Sequence, residues 1–286
     1  MTHPQGPGSP FQLLFSDDAH QTASLPETFR QIYPGDWHIP TIKDRPYIYS
    51  NFAKSRDGRI TFNLPEWPGG ADVTKANDHD RWLMGLLRTR ADAVMNGDVT
   101  VNREPDHLWT AEFIYPPAAA AFTELRRSEG YAPSPFLVVL SFDGKLNFEA
   151  TCFGRDDLHI ILATTERGAA HATGVRCAAR LDVHNLGRQA VDLHRLVGLL
   201  YSDYGVRNLL CEGGARVFAN MLDAGLVDEE FVTLCPTFVG RSDEQFRPSY
   251  TEGVAWRPET APYSKPISLH RAGDFLFMRT RCQYQG

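Results

Sequence analysis

Along most of this chain, short apolar runs alternate with amphipathic stretches of helical period, and no other feature restricts its fold as much. Tyr47-Ile48-Tyr49 leading into Asn51-Phe52 reads as a first strand. Asn77 can cap a helix in which Trp82, Leu83, Leu86 and Leu87 share one face, with Arg81 and Arg88 opposite. Ala93-Val94-Met95 is a buried strand that runs into a turn at Gly97. Residues 117–129 read as a helix, followed by strands at 136–140 and 158–162. Residues 189–204 form a helix with Leu193, Leu196, Val197 and Leu200 inward. It feeds a strand at 207–211, then Gly213-Gly214, then a helix with Phe218, Met221 and Leu222 buried and a stop at Gly225. A strand at 230–234 and a hairpin from 268–271 and 275–281 complete the pattern. This order predicts an α/β fold whose sheet is mostly parallel, with an antiparallel C-terminal hairpin. Residues 236–266 show little periodicity and are expected to form a long irregular excursion.

The 286 residues, 42% hydrophobic and 22% charged, can bury a core without a disulfide or metal staple. They read as one domain at 46–286 behind an extension at 1–45. The Gly/Pro-rich part of that extension, to about residue 24, is expected to be poorly ordered, and 25–46 to drape over the body. Twenty-nine basic against thirty-five acidic residues give a formal charge of −6, which argues against general nucleic-acid binding. Apolar runs reach about five residues, against the roughly 18 that a membrane-spanning helix requires. The first twenty residues lack a basic lead and a long apolar core, so no signal peptide is read and a cytoplasmic location is expected. Five scattered cysteines without C-x-x-C spacing fit reduced, mostly buried thiols. Neither His-x-Glu nor P-C-x-x-C occurs, so there is no zinc-deaminase site, and no metal ligands are nominated.

In open parallel sheets, ligands gather at the carboxyl ends of the strands. Three segments offer such ends. In Leu209-Leu210-Cys211-Glu212-Gly213-Gly214-Ala215-Arg216, a buried strand delivers a carboxylate and two glycines onto a helix start. A diphosphate could approach free N–H groups there; a plain tight turn fits the same window and is the commoner case. Within 92–100, Gly97 and Thr100 suit a turn that offers a hydroxyl to a phosphate or ribose, or Thr100 is a simple cap. Residues 50–59 crowd amide, hydroxyl, carboxylate and basic groups together, as a site or as a solvated turn around Asp57-Gly58.

Taken in order, these segments resemble the reductase domain of the riboflavin-biosynthesis deaminase/reductase proteins. Residues 45–60 follow R-P-Y-V-x-x-N-F-x-x-S-L-D-G-x-I, and 87–101 follow L-R-x-x-A-D-A-V-x-x-G-x-x-T-V. Glu212-Gly213-Gly214 and 225–229 follow E-G-G and G-L-V-D-E, and the likeness spans about 25–281. The resemblance implies a dihydrofolate-reductase-like three-layer sandwich, NADPH as hydride donor and a phosphorylated ribosylamino-pyrimidine as acceptor. In that family the ribosyl ring opens and hydride reaches C1′. By the same resemblance, Gly97 and Thr100 lie near the cofactor phosphates, Ser141 touches its adenosine side, and Gly213, Gly214, Ala215 and Val217 frame the diphosphate. Asn51, Asp57 and Glu212 face the substrate, ordering its hydroxyls and handling the accompanying proton. Ser55, Arg103 and Leu108 are assigned to the acceptor side. Thr164, with Thr165 and Arg167, is a candidate for a 2′-phosphate, with Arg167 equally readable as a helix-surface residue. A homodimer is implied, and the zinc deaminase domain often fused to this reductase is not expected here.

The chain departs from the pattern at Arg56, where an apolar residue is usual, and at Asp98 and Val99, where small residues are usual. The usual arginine is missing from 102–110; Arg103 is either its stand-in as a phosphate clamp or a solvated surface residue. Trp109 in the same loop either stacks on a planar ring or simply packs. Two other readings stay open: a dihydrofolate-reductase-like reductase of a pterin or other small imine or carbonyl, and a catalytically silent nucleotide-binding protein.

Overall fold

The structure, a computed structural model, describes residues 4–18, 24–67 and 69–285. Its elements begin with β1 (Gln12–Ser16), α1 (Glu27–Arg30), β2 (Tyr47–Lys54), α2 (Ala71–Thr74), α3 (Asp78–Thr89), β3 (Ala93–Gly97) and α4 (Asp98–Arg103). They continue with α5 (Ala111–Ile114), α6 (Ala119–Ser128), β4 (Phe136–Ser141), β5 (His159–Thr164), α7 (Glu166–Ala172), β6 (Arg180–Asn185) and α8 (Leu193–Ser202). The last are β7 (Asn208–Cys211), α9 (Ala215–Asp223), β8 (Glu229–Leu234), β9 (Tyr263–Ala272) and β10 (Phe275–Gln283).

The strands form one sheet in the order β1-β9-β10-β8-β2-β7-β3-β4-β5-β6. From β8 to β6 neighbouring strands are parallel, while the β9–β10 hairpin joins β8 antiparallel. The predicted type of sheet, mostly parallel with an antiparallel C-terminal hairpin, is therefore observed, with β1 and β6 added at its edges. Its central strands are apolar on both faces because both faces are covered. In β2, Tyr47 and Tyr49 enter the core shared with Trp82, Leu86 and Phe122 of α3 and α6. Ile48 and Phe52 enter the opposite core, with Leu196 and Leu200 of α8 and Phe218 and Met221 of α9.

Asn77 caps α3 as expected, its Oδ1 accepting from the N–H groups of His79 and Asp80 at 3.0 and 3.1 Å. Arg88 departs from its expected place opposite the apolar stripe: it is 2% exposed, because the last turn of α3 dives beneath residues 107–110 and is covered on all sides. Gly85 lets α3 and α6 close together, since a Cβ there would sit 2.5 Å from the Phe122 ring.

The extension contributes more order than its composition suggested. Gln12–Ser16 pairs antiparallel with β9, and Phe11, Leu25, Phe29 and Trp37 are buried in the α3-side core. Met1–His3 and residues 19–23, also read as poorly ordered, lie outside the described residues. Between β8 and β9 the chain forms no helix or strand, and its bridge Arg59↔Ser249 ties the excursion to the turn after β2. No helix among the described residues is long and apolar enough to cross a membrane.

Because the parallel strands share one direction, Lys54, Gly97, Ser141, Thr164, Cys211 and Leu234 all end on the same edge of the sheet. The candidate residues collect along that edge.

Candidate active site

Three neighbouring strands deliver a row of polar groups on one sheet face. Ser50 and Met95 both register with Cys211, so Asn51, Glu212 and Asn96 follow at the same level across β2, β7 and β3. The alternation of the strands turns these three toward the α3 side, where the Tyr49 hydroxyl already donates to the Leu87 carbonyl at 2.9 Å. The Glu212 N–H donates to the Met95 carbonyl at 2.9 Å, so the ladder fixes its backbone. With its amide oriented to suit its neighbours, Asn96 donates to the Glu212 carbonyl and accepts from the Trp109 indole N–H, each at 3.0 Å. Trp109 is thus a packing residue, 5% exposed.

The Glu212 carboxylate is gripped by Arg88, with Nη2 at 2.8 Å from Oε2 and Nε at 3.1 Å from both oxygens. The remaining donor of this buried guanidinium, Nη1, meets the carbonyls of Leu108 and Thr110 at 3.2 Å. His107 Nε2 lies 3.1 Å from Arg88 Nη2 and must accept there. Burial, then the Arg88 charge, holds His107 down at about 3. The imidazole is therefore neutral, with its proton on Nδ1 facing Glu104 Oε2 at 3.4 Å. Burial raises Glu104 against the pull of Arg88. Asp80, 5% exposed in the first turn of α3, is pushed up to about 6 by burial; the nearby Thr233 hydroxyl opposes that rise and the Glu212 carboxylate adds to it. It is the carboxyl here able to hold a proton near neutrality.

Beside Glu212, the predicted glycine turns converge. A Cβ on Gly213 would lie 2.7 Å from Val217 Cγ1, and one on Gly97 would lie 3.2 Å from Val217 Cγ2. Val217 thus packs under both turns, and backbone alone can occupy these positions. Gly214 starts α9 without a side-chain cap, and a Cβ on it would be 3.9 Å from the Thr100 hydroxyl. The first N–H groups of α9, at Ala215 and after, are left without a side-chain cap, and such a helix start favours an anionic group.

Other predicted residues are committed elsewhere. Ser141 is buried; its hydroxyl donates to Asp98 Oδ2 at 2.6 Å and accepts from the Gly144 N–H at 3.0 Å. Asp98, whose Oδ1 takes the Val99 N–H at 2.7 Å, is thereby held against the protein. Thr164 is fully buried beneath Gly168, where a Cβ would come within 1.8 Å of the threonine hydroxyl, so its side chain does not line the edge. Thr165 caps α7 and donates to the Phe142 carbonyl.

After β2, Ser55 donates to Asp57 Oδ1 at 2.6 Å, and Asp57 also accepts from the N–H groups of Val239 and Gly240 at 3.0 and 2.7 Å. Partial burial opposes ionisation, but these donors together hold Asp57 down at about 2. Its carboxylate fastens the excursion to the turn. Leu108 contributes its carbonyl to Arg88, and Arg103 donates to Asn63 Oδ1 at 2.5 Å on the exposed rim. Among the described residues no His, Cys, Asp and Glu cluster could hold a metal ion.

Sequence reasoning missed Arg88, His107, Asp80 and Asn96. Arg88 carried a signal, since Leu87-Arg88 opens one of the motifs quoted above. Asp80 carried none, because an acidic residue in a first helical turn reads as dipole compensation.

Comparison with known proteins identifies the family and the fold. Residues 46–258 match the model of the RibD C-terminal domain. A curated relative from Archaeoglobus fulgidus, named 2,5-diamino-6-ribosylamino-4(3H)-pyrimidinone 5′-phosphate reductase, is 27% identical over 199 residues, covering 70% of this chain and 84% of its own. A pyrimidine reductase-like protein from Corynebacterium diphtheriae superposes with a TM-score of 0.64 at 17% identity, over 84% of this chain and 93% of that one. Acinetobacter baumannii RibD superposes with a TM-score of 0.62 at 18% identity; the match covers 84% of this chain but only 59% of that longer one. These superpositions show a shared fold, with its mostly parallel sheet and antiparallel C-terminal strands. From its motifs, its sheet and this match, the chain belongs to the RibD C-terminal domain family.

Proposed function

We propose that this protein is an NADPH-dependent reductase of a phosphorylated ribosylamino-pyrimidine, acting in riboflavin biosynthesis with residues 46–286 as the reductase domain and 1–45 as its extension. The observation that carries this reading is the buried Glu212 carboxylate, clamped by Arg88 and set beside the convergent turns at Gly97 and Gly213. Those turns fit a dinucleotide diphosphate, since backbone fills the positions where side chains would stand. In this reading Gly213, Gly214, Ala215 and the Thr100 hydroxyl hold the diphosphate, with Gly97 and Val217 shaping the floor. The adenosine end then extends past the Ser141–Asp98 pair and over Thr164, toward an open depression lined by Asn102, Lys145, Asn147 and His171.

When bound, NADPH supplies the hydride. The chain orients the acceptor: Glu212 accepts from its sugar hydroxyls, and Asn51 offers an amide one strand away. Asp80, coupled to Glu212, holds a proton for the amino nitrogen as C1′ is reduced. Ser55, Leu108 and Arg103 border the acceptor side. Asp57, first assigned to the substrate, supports it indirectly by fixing the excursion. The name of the Archaeoglobus relative favours an acceptor that still carries its 2-amino group. The protein acts in this reading as a cytoplasmic homodimer, which sedimentation as a monomer at micromolar concentration would contradict.

The test is acceptor-dependent loss of NADPH absorbance, with NADH in parallel and with the diaminopyrimidinone and aminouracil ribosylamino phosphates as acceptors. Oxidation with either acceptor is expected. NADPH binding without oxidation on both would leave a silent nucleotide-binding protein.

A further inference from the structure

The turn after β2 and the excursion after β8 carry cations that enter no ion pair among the described residues. Lys54, Arg56 and Arg59 come from the turn, and Arg241 and Arg247 from the excursion. Backbone bonds join the two segments: Arg56 N–H to the Thr237 carbonyl at 2.8 Å, Ile60 N–H to the Pro248 carbonyl at 3.3 Å, and Tyr250 N–H to the Gly58 carbonyl at 3.1 Å. Among the described residues none of these five cations forms an ion pair. Two neighbouring carboxylates are engaged by uncharged donors, Asp57 as described and Glu252 by the Ser249 N–H at 2.7 Å.

Two of the guanidinium groups are positioned without being neutralised. Arg59 Nη1 donates to Ser249 Oγ at 2.7 Å and to the Arg247 carbonyl at 3.4 Å. Arg247 donates through Nη1 to the Val239 carbonyl and through Nη2 to Gln245 Oε1 at 2.9 Å, and its guanidinium lies 5.6 Å from the centre of the Phe62 ring. The Nε of each is buried with no acceptor. Buried donors on a charged group are ordinarily satisfied, so a pair of such orphans on adjacent arginines marks a place built for an anion. Elsewhere Arg88 is neutralised by Glu212, Arg90 by Glu129, and Arg279 by Glu229 and Asp18, whereas the buried Arg126 spends its guanidinium on backbone carbonyls and keeps one orphan Nη2.

The place along the edge suits one particular anion. Arg59 follows β2 and Arg247 lies in the excursion that follows β8, whereas Glu212 leaves β7 and the glycine turns follow β7 and β3. The two arginines therefore belong to the side of Glu212 away from the glycine turns, toward which an acceptor held at Glu212, with its hydride donor over those turns, would extend its phosphoester.

We propose that Arg59 and Arg247 form the site for the phosphomonoester of the substrate, in place of the arginine that the loop after α4 lacks. The proposal rests on the reductase reading for the identity of the ligand, but its test does not use the reaction. The intact protein is titrated calorimetrically with ribose 5-phosphate, with ribose and inorganic phosphate as companions. Ribose 5-phosphate is expected to bind. Arg59→Gln and Arg247→Gln should each weaken that binding about 10- to 100-fold, the range of a charged hydrogen bond, and leave the weaker response to ribose unchanged. Arg247→Lys, which keeps the charge, should recover part of the loss, and a melting curve for each variant separates lost binding from lost folding. The proposal is overturned if wild type does not distinguish ribose 5-phosphate from ribose, if folded Arg59 and Arg247 variants bind like wild type, or if the loss follows Arg103→Gln instead. Binding that behaves as expected in a protein that never oxidises NADPH would sink the reductase reading and leave the anion site standing.

Discussion

Arg88 and Glu212 stand 124 residues apart in the chain and meet as a fork beneath the surface, Nη2 2.8 Å from Oε2 and Nε 3.1 Å from both oxygens. Their side chains are only 2% and 7% exposed, so each charge depends on the other. Arg88→Met should destabilise the protein by about 3–5 kcal/mol, because it strands a buried carboxylate. Glu212→Gln keeps an acceptor for Arg88 and should melt closer to wild type while the reductase rate collapses. Chemical denaturation and NADPH oxidation on the same samples check both; a Glu212→Gln enzyme with wild-type turnover would remove Glu212 from the mechanism.

The buried Asp80 makes a pH-dependent prediction. Burial holds its carboxyl at about 6 in the folded protein, against an ordinary value of 3.8. The folded state therefore holds the extra proton between those values, and the contribution of Asp80 to stability falls as pH rises through that window. Asp80→Asn should match wild type below pH 3.8 and exceed it above pH 6, by up to about 3 kcal/mol. His107, neutral down to about 3, contributes the opposite slope in both proteins and cancels in the difference. A variant-minus-wild-type difference that stays flat with pH would show that Asp80 does not titrate there.

Gly213 and Val217 test the cofactor turn. A methyl group on Gly213 would meet Val217 Cγ1 at 2.7 Å and Cβ at 2.8 Å. Gly213→Ala should thus displace the turn and raise the KM for NADPH about tenfold, roughly one lost hydrogen bond to a charged group. Val217→Ala in the same chain makes room and should restore much of the affinity. Equal affinities in wild type and both variants would place the diphosphate elsewhere.

Asp57 should act through the excursion. Its stabilising contribution is present above its unfolded value of 3.8 and disappears only as pH falls through about 2, so near neutrality it is constant. Asp57→Asn should accelerate amide exchange at Val239 and Gly240, the two N–H groups it binds, and leave the β3–β4 ladder protected. Unchanged exchange at both positions would refute the tether.

The two halves of the quoted motifs show how far the chain can be read on its own. Arg45 and Asp228 belong to separate motifs, yet they form a bidentate pair at 2.7 and 2.6 Å, and Asp228 also takes the Ile48 N–H at 2.8 Å. Glu229 receives the buried Arg279 at 2.7 and 3.0 Å. The Asp-Glu of that motif thus locks β8 to β2 and β10, a role invisible in a string of residues. β6 went unread because Arg180–Asn185 is half-exposed and mixed in character, and β1 because a strand of five residues in a Gly/Pro-rich leader acquires its partner only from β9.

The succession of the central strands and the helices between them, the caps at Asn77 and Gly225 and the turns at Gly97 and Gly213 were determined by the sequence, because periodicity and turn chemistry act between residues close in the chain. Strand order, and with it the row of Asn51, Glu212 and Asn96, was decided only by the tertiary structure. So were the burial of Arg88 and Asp80 and the diversion of Asp57 to the excursion. A charge is buried and paired, or left in water, according to which distant segments pack over it, and the local pattern carries no record of them.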